Sequence, residues 1–270
     1  MSYLYGMKKS IYTSLAILAA IQFITCGCSV LGNTKWDANY LAGAANNALT
    51  AATLSNEQVV QLSRQSVEYM DKENKVNTGA YKQRLDKVMA GISEVGGMKI
   101  NLKVYETKEI NAFACGDGSI RVYSGLMDVM NDEQLIAIIG HEIGHVMHKD
   151  TKNAMQRAYA TAAARGVVAA AGGVVGTLAQ TAVGDIAQSY VSAQFSQKQE
   201  FAADEYGFQF AVDHGYSPYG MATALEKLVE LSNGGGASAS YVAKMFSSHP
   251  DSAVRAQKMR AKADSYKAKN

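Results

Sequence analysis

Apolar and polar positions along this chain follow two periods, and the change from one to the other divides it. From Lys99 to Glu106 the alternation has the period of a strand, with Ile100, Leu102 and Val104 on one side. Ile110–Cys115 and Ser119–Tyr123 read the same way, and the Asp117-Gly118 pair between them predicts a hairpin. Ahead of these strands the spacing is helical. Ser55-Asn56-Glu57-Gln58 carries a capping-box signal for a helix to about Lys72. A further helix is predicted from Ala80 to Val95, where Gly96-Gly97 breaks the pattern. Trp36 to Leu54, rich in Ala and Asn, also reads as helical. From Ser124 onward helices dominate, among them the apolar run Leu135–Ile139 and a long stretch from Ile186 to Val212. Pro218 and Pro250, the only two prolines, each fit the first position of a helix. Gly166–Gly184 is uncharged, but its Gly, Ala, Thr and Gln content gives little drive for insertion. It predicts closely packed helices or a lid rather than a membrane span. The expectation is an α+β fold, mostly helical, with a small sheet of about three strands packed beside the Leu135 helix.

A chain of 270 residues is long enough for one domain with a real core. Its net charge of +2 is too small for the electrostatic footprint of a nucleic-acid partner, and none is expected. Lys8 and Lys9 followed by the apolar Ile11–Ile24 read as a secretion signal. Gly27-Cys28 resembles a bacterial lipoprotein cleavage site, with Thr25 where Leu is usual, which makes Cys28 the expected lipidation site. Ser29 beside it suggests delivery to the outer membrane, and several acyl chains on one residue anchor a protein stably. The expected layout is a signal over 1–27, a tether over 28–35 and a single domain over 36–270. Cys115 is then left without a disulfide partner and reads as a buried small hydrophobe, with a redox-sensitive thiol as the alternative. The basic tail Arg255–Lys269 reads as a solvated helix face, with contact to anionic lipid as the alternative.

The chemistry concentrates in His141-Glu142-Ile143-Gly144-His145, which follows the apolar run. Residues four apart share a helix face, so His141 and His145 can grip one metal ion, and Glu142 beside them can take a proton from water. The competing reading is a helix with two hydrogen-bonded histidines. A catalytic metal site needs a third protein ligand. His148 lies two turns from His141, roughly 10 Å along the axis, too far to share the ion. Glu200 is the better candidate: it shares a helix face with Asp204, and Ala202 and Ala203 between them allow close packing on the HExxH helix. Asp204 can then accept the free N–H of a ligand histidine. A solvated acidic patch is the bland alternative. Ligand type points to zinc, one ion per chain, and admits other divalent ions.

The HEIGH and EFAAD segments together resemble the gluzincin metallopeptidases of the CAAX-prenyl-protease and HtpX type. Asn111-Ala112-Phe113-Ala114 with Gly118–Leu126, Asn131–Leu135, and Ser248-His249-Pro250 with Arg255 resemble further segments of that family, over about residues 57–262. The resemblance is strongest to its small periplasmic lipoprotein members. It implies a zincin-like core with zinc on His141, His145 and Glu200, and Glu142 as general base. Asp204 orients a ligand histidine, Asn111–Ala114 form a substrate-binding edge strand, and Arg255 belongs to the substrate site. His249 is implied either as a fourth zinc ligand that latches the enzyme off or as a donor to the oxyanion. The substrates implied are unfolded or misfolded envelope proteins, and the partners are outer-membrane assembly machinery or related proteases. A non-catalytic binding or assembly factor is the competing function. The intact HExxH and ExxxD favour the enzyme.

Overall fold

The computed structural model describes residues 55–157 and 191–269, together with Asn39, Ala42, Thr161, Gly184, Ala187 and Gln188. The expected signal, Cys28, the tether and nearly all of the Trp36–Leu54 and Gly166–Gly184 segments lie outside the described residues.

The elements in chain order are α1 (Asn56–Glu73), β1 (Val76–Asn77), α2 (Ala80–Val88), β2 (Glu94–Val95), β3 (Met98–Lys99), β4 (Asn101–Tyr105), β5 (Ala112–Ala114) and β6 (Ser119–Tyr123). They continue with α3 (Ser124–Val129), α4 (Asp132–Met147), α5 (Gln197–Asp213), α6 (Gly220–Asn233), α7 (Gly236–Ser248) and α8 (Ser252–Lys267). Residues 150–157 are also helical. The fold is α+β and mostly helical.

The main sheet has the order β1-β4-β6-β5, with β4 parallel to β6 and the other pairs antiparallel. It has one strand more than the alternation predicts, because β1 is only two residues long and carries no period to read. The hairpin at Asp117-Gly118 forms as expected: Gly118 takes φ +86°, which suits glycine, and the Asp117 carboxylate accepts from the Ser119 N–H at 3.1 Å. Gly96-Gly97 does not end a helix as expected; it turns the β2–β3 hairpin, with φ of +57° and +81°.

Four helix boundaries differ from expectation. The helix beginning at Ala80 stops at Val88, and Gly91 at φ +81° leads the chain away. The long stretch from Ile186 is interrupted. Residues 193–196 are not helical, and α5 starts afresh at a reciprocal capping box between Ser196 and Gln199. The helices after Pro218 and Pro250 begin two residues later than predicted, at Gly220 and Ser252, with Tyr219 and Asp251 as their caps.

Both faces of the sheet are covered, so β6 is buried throughout although its side chains alternate. Val104, Ile120 and Val122 face the principal core with Leu85, Leu126, Ile136, Ile139 and Phe208. Tyr105, Phe113, Cys115 and Tyr123 face α1, against Val59, Val67 and Met70. Arg121 shares that second face and pins α1 to the sheet: its Nε and Nη2 donate to Asp71 at 2.8 and 3.0 Å.

Helix α4 is buried on all sides from Leu135 to His145, as a central core helix must be. Its start is fixed by a capping box between Asn131 and Gln134, and Asp132 and Glu133 favour the positive end of the dipole. Arg84 of α2 holds the same end, donating to Asp132 and to the Met130 carbonyl at 2.7 and 2.6 Å. Helix α5 lies tightly along α4. A Cβ on Gly207 would come within 2.6 Å of the Ala137 carbonyl oxygen, so only glycine fits there. Ala203 is buried at this contact, whereas Ala202 is only half-buried. The close approach therefore uses Ala203 and Gly207, not the Ala202-Ala203 pair expected.

Candidate active site

Close packing of α4 on α5, with the α7–α8 turn above them, gathers His141, His145, Glu200 and His249 into one buried group. One ligand atom from each lies within 4.8 Å of the others. His141 and His145 come from successive turns of α4 and Glu200 from the first turn of α5. His249 is the C-cap of α7. His148 is exposed and stands outside the group.

Each histidine of α4 has its own carboxylate. The Nδ1–H of His141 donates to Asp204 Oδ1 at 2.9 Å, and that of His145 donates to Asp150 Oδ2 at 3.0 Å. A carboxylate only accepts, which fixes the tautomer and leaves each Nε2 as an acceptor. The two Nε2 atoms then face each other 3.1 Å apart. Two lone pairs at that distance need a positive charge between them, as a bound metal ion supplies. The acids say the same. Burial works against the charge on Glu200, but His249 and His145 outweigh it and hold its carboxyl well below the usual range. Burial also disfavours charge on His145, yet hydrogen bonds to Asp150 and Glu200 raise it to about 9 without a metal, so these acids favour a positive charge at Nε2, which a metal ion supplies in place of a proton. Three imidazoles and a carboxylate are zinc's donor set, and the group fits zinc.

Arg255 is placed otherwise than expected. It is 1% exposed, and its guanidinium meets site carboxylates and the His249 and Pro250 carbonyls. Nε and Nη2 donate to Asp204 at 2.7 and 2.6 Å, and Nη1 lies 2.5 Å from Glu200 Oε2. Such a buried side chain holds the acids in place. This planar fork also explains why the tail is not simply a solvated basic helix. Farther along, Arg260 pairs with Glu226 and Lys262 with Glu205.

Among the described residues, two buried side-chain atoms lack a hydrogen-bond partner: Glu142 Oε1 and Asn111 Nδ2. Buried polar groups are nearly always satisfied, so these two atoms have capacity left for a water, an ion or a substrate. Glu142 lines a cleft together with Ala112, Phe113, Ala114, His145, Phe195 and His249 among others. The cleft measures ≈ 20 Å³, room for about one water. His249 Nε2 stands 3.7 Å from Glu142 Oε1, while its Nδ1 lies 3.1 Å from Glu200 Oε1 and 3.3 Å from His141 Nε2. Strand β5 is the edge of its sheet, and its outer side borders the cleft. The Phe113 ring turns the other way, edge-on to Tyr123 at 6.2 Å, so backbone rather than that ring is offered to the cleft.

Sequence reasoning missed Asp150, Gln199 and Phe195. Asp150 follows His145 by five residues with no helical relationship to betray it. The Phe195 ring stacks on His145 at 3.9 Å and 16°. The one available signal was Ser196 three residues before Gln199, a capping box that moves the helix start and frees Phe195 to lie over the site.

Comparison with known proteins agrees with this arrangement. The chain is 39% identical over 250 residues to Metalloprotease LoiP of Escherichia coli (strain K12), covering 92% of this chain and 95% of that protein. It is 36% identical to Metalloprotease YcaL of the same organism, covering 91% and 94%. A shorter match, 33% identical over 136 residues, links it to the Beta-barrel assembly-enhancing protease of Escherichia coli (strain K12), covering 45% of this chain and 26% of that one. Residues 77–263 match Peptidase family M48, and with them the chain belongs to that family and is a zinc metalloendopeptidase.

Proposed function

We propose that this protein hydrolyses peptide bonds of unfolded or misassembled envelope proteins, acting in outer-membrane protein quality control. The observation that carries this reading is β5, an edge strand lying beside the cleft that Glu142 lines. An extended peptide can add to such an edge through backbone hydrogen bonds, which read little sequence and suit clients that have lost their fold. Folded proteins rarely offer a free strand, so the same device spares them.

The residues divide the work. His141, His145 and Glu200 hold the zinc, which when bound polarises the scissile carbonyl and acidifies water. Glu142 takes the proton of the attacking water through its unpaired Oε1 and passes it to the leaving amine. Asn111, whose Oδ1 accepts the Ala112 N–H at 3.0 Å, has its free Nδ2 for the substrate. Asp204 keeps His141 in one tautomer, and Arg255 keeps Asp204 and Glu200 apart at a fixed distance. His249 stands among the ligand donors, which favours its role as a fourth ligand that latches the site over its role as an oxyanion donor.

The layout proposed is a signal over 1–27, a tether over 28–35 anchored in the outer membrane through lipidated Cys28, and one domain over 36–270 facing the periplasm. The Gly27-Cys28 pair supports it. None of the helices among the described residues is long and apolar enough to cross a membrane. Outer-membrane assembly machinery or related proteases are the partners proposed. A relative's name refers to β-barrel assembly, and that name supports the choice.

The test is cleavage of an unfolded protein such as casein by the zinc-loaded chain and by its Glu142→Gln variant. Cleavage by the wild type, with the variant slower by roughly 10²–10⁴-fold and still binding zinc, is the expected outcome. The closed cleft and the position of His249 favour one second reading, a latent binding or assembly factor. Under it neither chain cuts, and Glu142→Gln restores function in a deletion strain. His249→Ala then separates the two, because removing a latch raises cleavage.

A further inference from the structure

A second buried carboxylate at the metal site, the partner of His145, has no role in the reaction as divided above. Asp150 is 4% exposed. Its Oδ2 accepts the His145 Nδ1–H at 3.0 Å, and its Oδ1 accepts from Gln199 Nε2 at 2.6 Å. Gln199 is fixed in turn, since its Oε1 accepts the Ser196 N–H at 2.9 Å and the Ser196 hydroxyl at 2.8 Å in the cap of α5. Phe195 covers the ring face of His145, and Glu200 Oε1 lies 3.4 Å from His145 Nε2. One short segment, Phe195–Glu200, therefore meets His145 at its ring face, at its Nε2 edge and, through Asp150, at its Nδ1.

The chain reaches this arrangement by an unusual path. Position i+5 of a continuous helix lies about 140° round the axis from position i, so an unbroken α4 would carry residue 150 away from His145. Instead α4 ends at Met147, and Lys149 takes φ +64°, a left-handed backbone that side-chain-bearing residues seldom adopt. That turn brings Asp150 back beneath the histidine. Backbone strain at a functional centre is retained where it sets geometry.

We propose that Asp150, backed by Gln199, is the positioning residue for His145, and that the Gln199–Asp150 link sets the spacing between the second histidine of α4 and Glu200 of α5. Asp150 acts through His145 and touches neither metal nor substrate. It fixes the ring orientation and keeps Nε2 as the ligand atom, as Asp204 and Arg255 do for His141. The inference rests on the metallopeptidase reading of the site.

The test measures zinc affinity of the full chain by competition with a chromophoric chelator, and the visible absorption of the cobalt-saturated protein. Asp150→Ala is expected to weaken zinc binding by about 10–100-fold and to shift the cobalt bands. Asp150→Asn keeps an acceptor oxygen and the side-chain shape, so its affinity is expected to fall between wild type and Asp150→Ala. It decides the matter if Asp150→Ala does not fold. Gln199→Ala is expected to move affinity in the same direction by a smaller factor. Zinc affinity in Asp150→Asn within twofold of wild type, or unchanged cobalt bands at saturation, overturns the proposal even where thermal stability has dropped. His145→Ala is the control. Should it bind zinc as tightly as wild type, the metal-site reading fails; if it loses zinc while the Asp150 variants do not, only the positioning role fails.

Discussion

Arg255 Nη1 and Glu200 Oε2 lie 2.5 Å apart, both side chains almost wholly out of solvent. The same guanidinium grips Asp204 with two further N–H groups. Two acids and a cation thus share one buried network, and the charge of Arg255 is what permits two carboxylates so close together. Removing one member of a buried ion pair strands the other's charge. Arg255→Ala is therefore expected to cost roughly 3–5 kcal/mol of stability and to weaken zinc binding. Arg255→Lys should recover only part, because an ammonium cannot serve both acids with a planar fork. Denaturant unfolding and zinc competition on the two variants check this, and wild-type stability in Arg255→Ala would contradict the network.

The α4–α5 contact depends on Gly207 in the same way that the site depends on Arg255. A methyl group there must push the helices apart, since it would meet backbone of Ala137 and His141 rather than a flexible side chain. Gly207→Ala is expected to destabilise the protein by about 1–3 kcal/mol, despite the better helix propensity of alanine. It should also lower zinc affinity, because Glu200 and Asp204 ride on the displaced helix. Thermal unfolding of the metal-free and zinc-loaded forms reads both effects.

Far from the metal, Asp71 provides the acid dependence. Burial opposes its ionisation, but hydrogen bonds from Arg121, Lys103 and Tyr105 hold it below the ordinary value of 3.8. A depressed carboxyl pKa means that the unfolded chain binds the proton more readily. Asp71 therefore contributes its full stability above the unfolded value and loses it as the pH falls through the folded one. The expected signature is a loss of stability below about pH 4 that is absent from Asp71→Asn. At neutral pH that variant should be weaker by roughly 3 kcal/mol, since Arg121 stays buried beside it. Urea melts of both proteins across the acid range make the comparison.

Lys149 offers a test in the stabilising direction. It is exposed and holds φ +64° between α4 and the helical residues 150–157. The left-handed conformation costs a side-chain-bearing residue roughly 1–2 kcal/mol that glycine does not incur. Lys149→Gly is expected to raise the melting temperature by a few degrees, with zinc affinity unchanged, because the turn that places Asp150 is kept. A fall in melting temperature would show that the Lys149 side chain contributes more than its backbone costs.

The HExxH histidines, the acid Glu142 between them and the hairpin at Asp117-Gly118 were legible because each is a local pattern: a helix face, a neighbour, a turn. The capping boxes at Ser55 and Asn131 belong to the same class. Glu200 carried a weaker signal, its helix face shared with Asp204, which gained weight only beside HExxH, while His249 and Arg255 carried none of their own and became readable only through resemblance to a family. Even then Arg255 was read toward substrate, whereas its guanidinium meets Asp204 and Glu200, since nothing local says whether a guanidinium faces a substrate or a buried acid. The strand at Val76 was too short to show a period, and Asp150 is related to His145 only through a left-handed turn.

The sequence by itself determined which residues make helices and strands and which side chains carry the chemistry, because periodicity and caps act over a few residues. Tertiary structure alone decided that His249 joins the ligand donors from 108 positions beyond His141, that Asp150 serves His145 and that Phe195 covers it. Those relations arise where α4, α5 and the α7–α8 turn converge. Their distances are set by side-chain volumes at contacts such as Gly207 against Ala137, and close packing between distant segments leaves no period in the chain for a reader to find.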